Sequence, residues 1–252
     1  MRKCISKVFL STLTFSIVGC VNADDRTLSP SVNTQWINVE VRNPSSYTQP
    51  FLLEVLYVST SCKRKFMSMR DGQHYEKAGY NPVKIPLQKQ SNSDIWVAKK
   101  AKDGVGKCNW QLSEFNLGIE YIDATHLGKE LVPGTAVGAT IAFDDNATKN
   151  GPFKTVHVDI NLSPIYYPYI RERNLNSTET SLSLLGEKNF ISLKADGTNK
   201  VSFIPGLDES EVTRYIGVAK KVPGSYAKII YPDGSVAPEG TIIRDFNIIN
   251  AK

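Results

Sequence analysis

Histidine is scarce in this chain: His74, His126 and His157 are the only three among 252 residues. They are far apart in sequence and form neither HExxH nor HxH, so no zinc-ligand pattern is present. A GxxxxGK[ST] phosphate loop and a GxGxxG turn are also missing, which removes the common nucleotide-binding motifs. No GxSxG occurs; Gly134-Thr135-Ala136-Val137-Gly138 has the glycines without a serine at its centre. Asp144-Asp145-Asn146 begins like a calcium loop, yet the downstream Gly and bidentate Glu are absent, and it reads as a turn. Catalytic groups can converge from distant positions, so these absences lower the expectation of an enzyme without abolishing it. The expectation is a non-enzyme with no cofactor, metal or small-molecule substrate.

Long apolar runs are equally rare. The one strong run, VFLSTLTFSIVG at 8–19, follows a start containing Arg2, Lys3 and Lys7 and no acidic residue. A basic start, a short apolar core and a small residue before a boundary describe a secretory signal peptide, here residues 1–19. A dozen residues fall short of the ~20 needed to span a bilayer as a helix. The other reading, a buried N-terminal helix, suits an uncapped run behind three basic residues poorly.

Within this segment, Ile17-Val18-Gly19-Cys20 resembles the lipobox of bacterial lipoproteins, with Ile where Leu is commonest. The resemblance implies that Cys20 becomes the acylated first residue of the mature protein, with no Asp directly after it. For enteric lipoproteins that implies the periplasmic face of the outer membrane. Each buried methylene contributes about 0.8 kcal/mol, so several acyl chains anchor almost permanently. Cys4 then leaves with the signal and Cys20 carries lipid. The remaining thiols, Cys62 and Cys108, are expected to form one disulfide in an oxidising compartment. A metal pair is the alternative, but neither Cys has a His or second Cys nearby. Loss of Arg2, Lys3 and Lys7 lowers the formal net charge from +5 to +2, too little to argue for nucleic-acid binding.

Residues 20–35 are polar and aperiodic and read as the lipidated Cys followed by a flexible tether. From Trp36 the pattern turns to period two. Ile37, Val39 and Val41 share a face, FLLEVLYV (51–58) is a fuller apolar run, and Val156, Val158, Ile160 and Leu162 alternate in TVHVDINL. Residues 189–206 look like a hairpin turning at Asp196-Gly197, and 227–236 like another turning at Pro232-Asp233-Gly234. Residues 241–250 read as a last strand, and 207–219 as a short helix capped by Asp208. Frequent turn signals between β-branched runs predict an all-β, mainly antiparallel, sandwich-like fold with little helix. Two β subdomains, 36–170 and 171–252, are one organisation; a single extended sandwich is the other.

Two stretches look like surface. SPIYYPYIRER (163–173) sets Tyr166, Tyr167 and Tyr169 beside Arg171 and Arg173, residue types enriched at interface hot spots. It reads either as a partner-binding patch or as a covered loop packed on the sandwich end. CKRKFMSMRDGQHYEKAGYNP (62–82) clusters Lys63, Arg64, Lys65 and Arg70, either to attract headgroups or an acidic partner, or as a solvated loop.

A lipobox, a mature body of 233 residues and one disulfide on a β scaffold resemble the immunity lipoproteins that accompany type VI secretion lipase effectors. The resemblance is one of architecture. It implies a membrane-anchored periplasmic protein that binds a secreted lipase or phospholipase effector and blocks it, without nucleic acid. The rival expectation is an envelope assembly or adhesin-associated lipoprotein.

Overall fold

The computed structural model describes residues 25–172, 179–220 and 222–249; Cys20 and Arg173 lie outside them. Among the described residues strands dominate, accompanied by two short 3-10 turns and one short helix, Phe246–Ile249, so the fold is all-β as expected. Pairing is only partly antiparallel, because every sheet is mixed.

Two sheets feed one main core. The first runs in the order Ile160–Leu162, Lys200–Phe203, Trp36–Arg42, Ile95–Ala101, Gln88–Lys89. The second runs Lys154–Val156, Phe190–Ala195, Val137–Ala142, Trp110–Tyr121, Leu53–Met67, His74–Ile85. Alternation explains how they meet: Ile37, Val39 and Val41 are buried with Val55, Phe115, Leu117, Ile141 and Phe203, while Trp36 and Arg42 face outward. Burying each such side chain contributes roughly 1.5–3 kcal/mol, which favours this register over a one-residue slip.

Two sequence-based strand assignments are corrected at a shared corner. TVHVDINL is not one strand: Lys154–Val156 belongs to the second sheet, Ile160–Leu162 to the first, and Val158 between them is exposed. The expected hairpin at 189–206 does turn at Asp196-Gly197, with Gly197 at φ +73°, but its arms enter different sheets. Instead the two segments run side by side in parallel, Val156 opposite Ala195 and Ile160 opposite Val201. Polar side chains tie the corner. Thr198 Oγ1 donates to the Val158 carbonyl at 2.8 Å, and Asp159 Oδ1 accepts the N–H groups of Asn199 and Lys200.

A third sheet runs Lys228–Ile230, Thr213–Ile216, Ile165–Glu172, Thr180–Leu185, Leu131–Pro133. The proposed division at 170/171 falls inside its Ile165–Glu172 strand, and Leu182, Leu184, Leu193 and Phe203 join the same core as Ile37. The 207–219 segment is not helical: Thr213–Ile216 is a strand, and Asp208 Oδ1 closes a turn by accepting the Ser210 N–H. Nor is 241–250 a strand. Ile242 and Ile243 are exposed, and Asp245 Oδ1 accepts the Asn247 N–H at the start of the Phe246–Ile249 helix.

Of the expected tether at 20–35, residues 25–35 are described, and they are held by the body rather than free. From Asp25 the chain is docked on the body: Trp110 Nε1 donates to the Asp25 carbonyl, Asn81 Nδ2 to the Arg26 carbonyl, and Leu28 packs on the core. Residues 227–236 do turn as expected, with the Gly234 N–H bonded to the Tyr231 carbonyl. Among the described residues no helix is long and apolar enough to cross a membrane.

Candidate partner-binding surfaces

The Leu53–Met67 strand has two regimes. Glu54 to Val58 pair on both sides, with His74–Ile85 and with Trp110–Tyr121. From Lys63 to Met67 only the His74–Ala78 side remains, so the hairpin continues as a two-stranded ribbon beyond the sheet. The switch is a bulge between Ser59 and Lys63. Ser59 Oγ accepts the N–H groups of Ser61 and Cys62 and bonds the Cys108 carbonyl. Opposite it stands Gly79, where a Cβ would lie 2.0 Å from the Cys62 carbonyl oxygen; only glycine fits under this bulge. The Cys62–Cys108 disulfide is formed, with Cα atoms 5.2 Å apart, and it clamps the bulge to the start of the neighbouring strand.

An isolated two-stranded ribbon is marginal in water, so this one needs local support. One face stacks Phe66 on Tyr75 with centroids 5.8 Å apart, and Lys77 Nζ lies 4.5 Å over Phe66. The other face sets Lys63 and Lys65 around Glu76 at 3.5 and 3.9 Å. At the tip, Gly72 (φ +70°) closes the turn, and the Tyr75 hydroxyl donates to Asp71 Oδ2 at 2.7 Å. The Gln73 N–H first, then that bond, holds the Asp71 carboxyl below its ordinary range. Met69 is 94% exposed, and Met67 and Tyr75 are exposed too. The ribbon's order serves nothing in the core.

The tyrosine stretch is placed otherwise, and the expectation that it presents a partner-binding patch is corrected. Tyr166, Tyr167 and Tyr169 are buried because Ile165–Glu172 is a central strand with cover on both faces. Tyr166 and Ile170 enter the main core; Tyr167 and Tyr169 enter a second cluster with Leu185, Ile229, Tyr231 and Ile249. Pro168, which lacks an N–H, falls where the flanking partner changes from Gly206–Leu207 to Thr213–Ile216. Of the two expected arginines, Arg173 lies outside the described residues and Arg171 lies 5.5 Å over the Tyr215 ring; Arg244, from elsewhere in the chain, covers Tyr169 at 4.3 Å while donating to its hydroxyl. Burial pushes the Tyr166 phenol well above its ordinary pKa.

Beside this strand lies an open groove of about 810 Å³, lined by Ile165, Tyr167, Glu187, Asp208, Glu211 and Phe246 among others. Burial first, then Asp208 and Glu211, raises the Tyr167 phenol. A second arrangement has no local sequence signal, its members being 83 residues apart: His126 Nε2 contacts Glu209 at 2.9 Å and its ring stacks on Tyr47 at 3.7 Å. It pins the 207–212 loop to the Trp110–Tyr121 strand's exit. His157 pairs with Asp196 at the exposed corner, and His74 sits near the ribbon tip. Asp144 Oδ1 accepts the Ala147 N–H and Asp145 pairs with Lys194, so the Asp-Asp-Asn run is a turn. Among the described residues no cluster of three or more metal-ligating side chains occurs.

Comparison of the chain with protein-family models, with curated proteins and with solved structures found no match.

Proposed function

We propose that this chain is a lipid-anchored periplasmic binding protein that neutralises a type VI secretion lipase or phospholipase effector. The lipobox-like Ile17-Val18-Gly19-Cys20 and the architectural resemblance to immunity lipoproteins motivate the reading. The observation that carries it is the docked N-terminal segment. Asp25, the first residue held by the body, comes five positions after Cys20, and five Cα–Cα steps span at most about 17 Å. An acylated Cys20 would therefore keep the inhibitor against the bilayer, where a lipolytic effector works. Inhibition is stoichiometric: the body covers the effector's active-site entrance and needs no catalytic group of its own.

The test is co-expression. Cells that export a candidate lipase effector to the periplasm should survive when the chain is present, and the two proteins should co-purify. Lysis together with no complex would sink the immunity reading.

A second reading, envelope assembly, is favoured by one feature. His74–Ile85 is a twelve-residue strand at the end of its sheet, and long edge strands can recruit a further strand from a partner.

A further inference from the structure

We propose that the distal ribbon, residues 62–78, is a docking element for an anionic phospholipid surface. Its tip side chains, Met67 and Met69, enter the interfacial region, while the basic residues below them pair with headgroup phosphates. This rests on the anchoring proposed above, and it adds a second, protein-encoded contact with the same membrane.

Charge argues for the occupant. Residues 62–78 hold Lys63, Arg64, Lys65, Arg70 and Lys77 against Asp71 and Glu76, a local excess of three positive charges, whereas residues 20–252 carry +2 in all. The rest of the mature chain is thus slightly acidic, and the ribbon is where an anionic surface would be met. Asp71 is occupied by Tyr75 and Glu76 by Lys63 and Lys65, which leaves Arg70 at the tip beside Met69. Apolar tip residues above a basic collar are the arrangement that inserts shallowly into an interface and gains from anionic lipid. An acidic protein partner would be matched by the collar, but it gives no reason for exposing an unbranched thioether at the extremity.

Position argues for the same surface. Asn81 holds Arg26 and Trp110 holds Asp25, so the N-terminal segment meets the body at the ribbon's base, next to Gly79. From Gly79 to His74 the strand rises about 17 Å. The five Cα–Cα steps from Cys20 to Asp25 have the same maximum reach. One bilayer can hold both the acyl chains and the ribbon tip, which would fix the body's orientation.

Residues 21–252 retain every contact described for the body and carry no acyl chain, so this chain isolates the ribbon's contribution. It is sedimented with vesicles of phosphatidylethanolamine containing 30% phosphatidylglycerol, and with phosphatidylcholine vesicles, at low and high salt. The expected result is binding to the anionic vesicles alone, at least tenfold weaker in R64E/R70E, severalfold weaker in M69S, and reduced by salt. Circular dichroism checks that the variants fold; these side chains are exposed. Failure to bind anionic vesicles, equal binding by the variants, or capture of an acidic protein in preference to lipid overturns the proposal. Acylation of Cys20 is read separately by mass spectrometry of the membrane-extracted full chain. Acylation without vesicle binding removes the ribbon proposal and leaves the anchor standing.

Discussion

Two regions of this molecule have nearly the same ingredients and opposite fates. The Ile165–Glu172 strand and the ribbon beyond Ser59 both join aromatic rings to arginine or lysine. In the strand, every tyrosine from 166 to 169 is covered, and Arg171 and Arg244 stack on rings of the same chain. In the ribbon, Arg64 stacks on Tyr80 and Lys77 on Phe66, yet the surrounding side chains remain open to solvent. Hot-spot composition therefore does not identify an interface. What separates the two is sheet context: flanking strands on both sides in one case, and on one side alone from Lys63 to Met67 in the other.

The contrast can be broken most forcefully by truncating the buried tyrosines. Tyr166→Ala should cost roughly 3–5 kcal/mol, as for other large aromatic truncations in cores, read from denaturant midpoints. A loss below about 1 kcal/mol would mean that Tyr166 is a surface residue after all. Close behind comes the clamp at the ribbon's base. Opening the Cys62–Cys108 loop, 46 residues apart in sequence, should cost about 4 kcal/mol in the chain-entropy model. Cys108→Ser should also raise amide exchange in residues 60–78 more than in the Ile165–Glu172 strand. A smaller effect of opposite sign sharpens the picture. The Tyr166 hydroxyl is buried with no hydrogen-bond partner among the described residues, so Tyr166→Phe should stabilise by up to about 1–2 kcal/mol. In the ribbon, Phe66→Ala should change global stability by less than about 1 kcal/mol, because its ring stacks on Tyr75 beneath Lys77 and belongs to neither core cluster.

The smallest prediction concerns the paired corner. Backbone N–H groups of Asn199 and Lys200, then the Lys200 charge, hold the Asp159 carboxyl below its ordinary value. A depressed carboxylate contributes stability that is complete above the unfolded pKa, near ~3.9, and fades as pH falls through the lower folded value. Acidification below about pH 4 should therefore loosen residues 157–160 and 196–200, seen as faster amide exchange. Asp159→Asn should remove that acid dependence; an unchanged dependence would assign it to other groups.

Much of the scaffold was legible because half-buried strands announce themselves. WINVEVR alternates cleanly, and its outward Trp36 and Arg42 reveal which face is wet. The disulfide followed from counting thiols once Cys20 was assigned to lipid. The Ile165–Glu172 strand was opaque for a physical reason: a strand covered on both faces does not alternate, and its two nearby prolines imitate a loop. The corner at 157–159 and 196–199 was hidden because strand switching leaves the alternation intact while the backbone changes sheets. The segment 207–219 misled because Asp208 is as good a turn former as a helix cap. The basic ribbon was visible as composition, but its projection depends on a bulge and on Gly79, whose constraint appears only when Cys62 approaches it.

Neutralisation of a membrane-active lipase at the bilayer, as proposed, is put to the test by titration. Hydrolysis of vesicle phospholipid by a purified type VI lipase effector is followed while the acylated full-length protein is added from zero to two equivalents. The expected result is a linear fall in rate that reaches completion at one equivalent. Undiminished hydrolysis at two equivalents, with both proteins folded and bound to the vesicles, would contradict it.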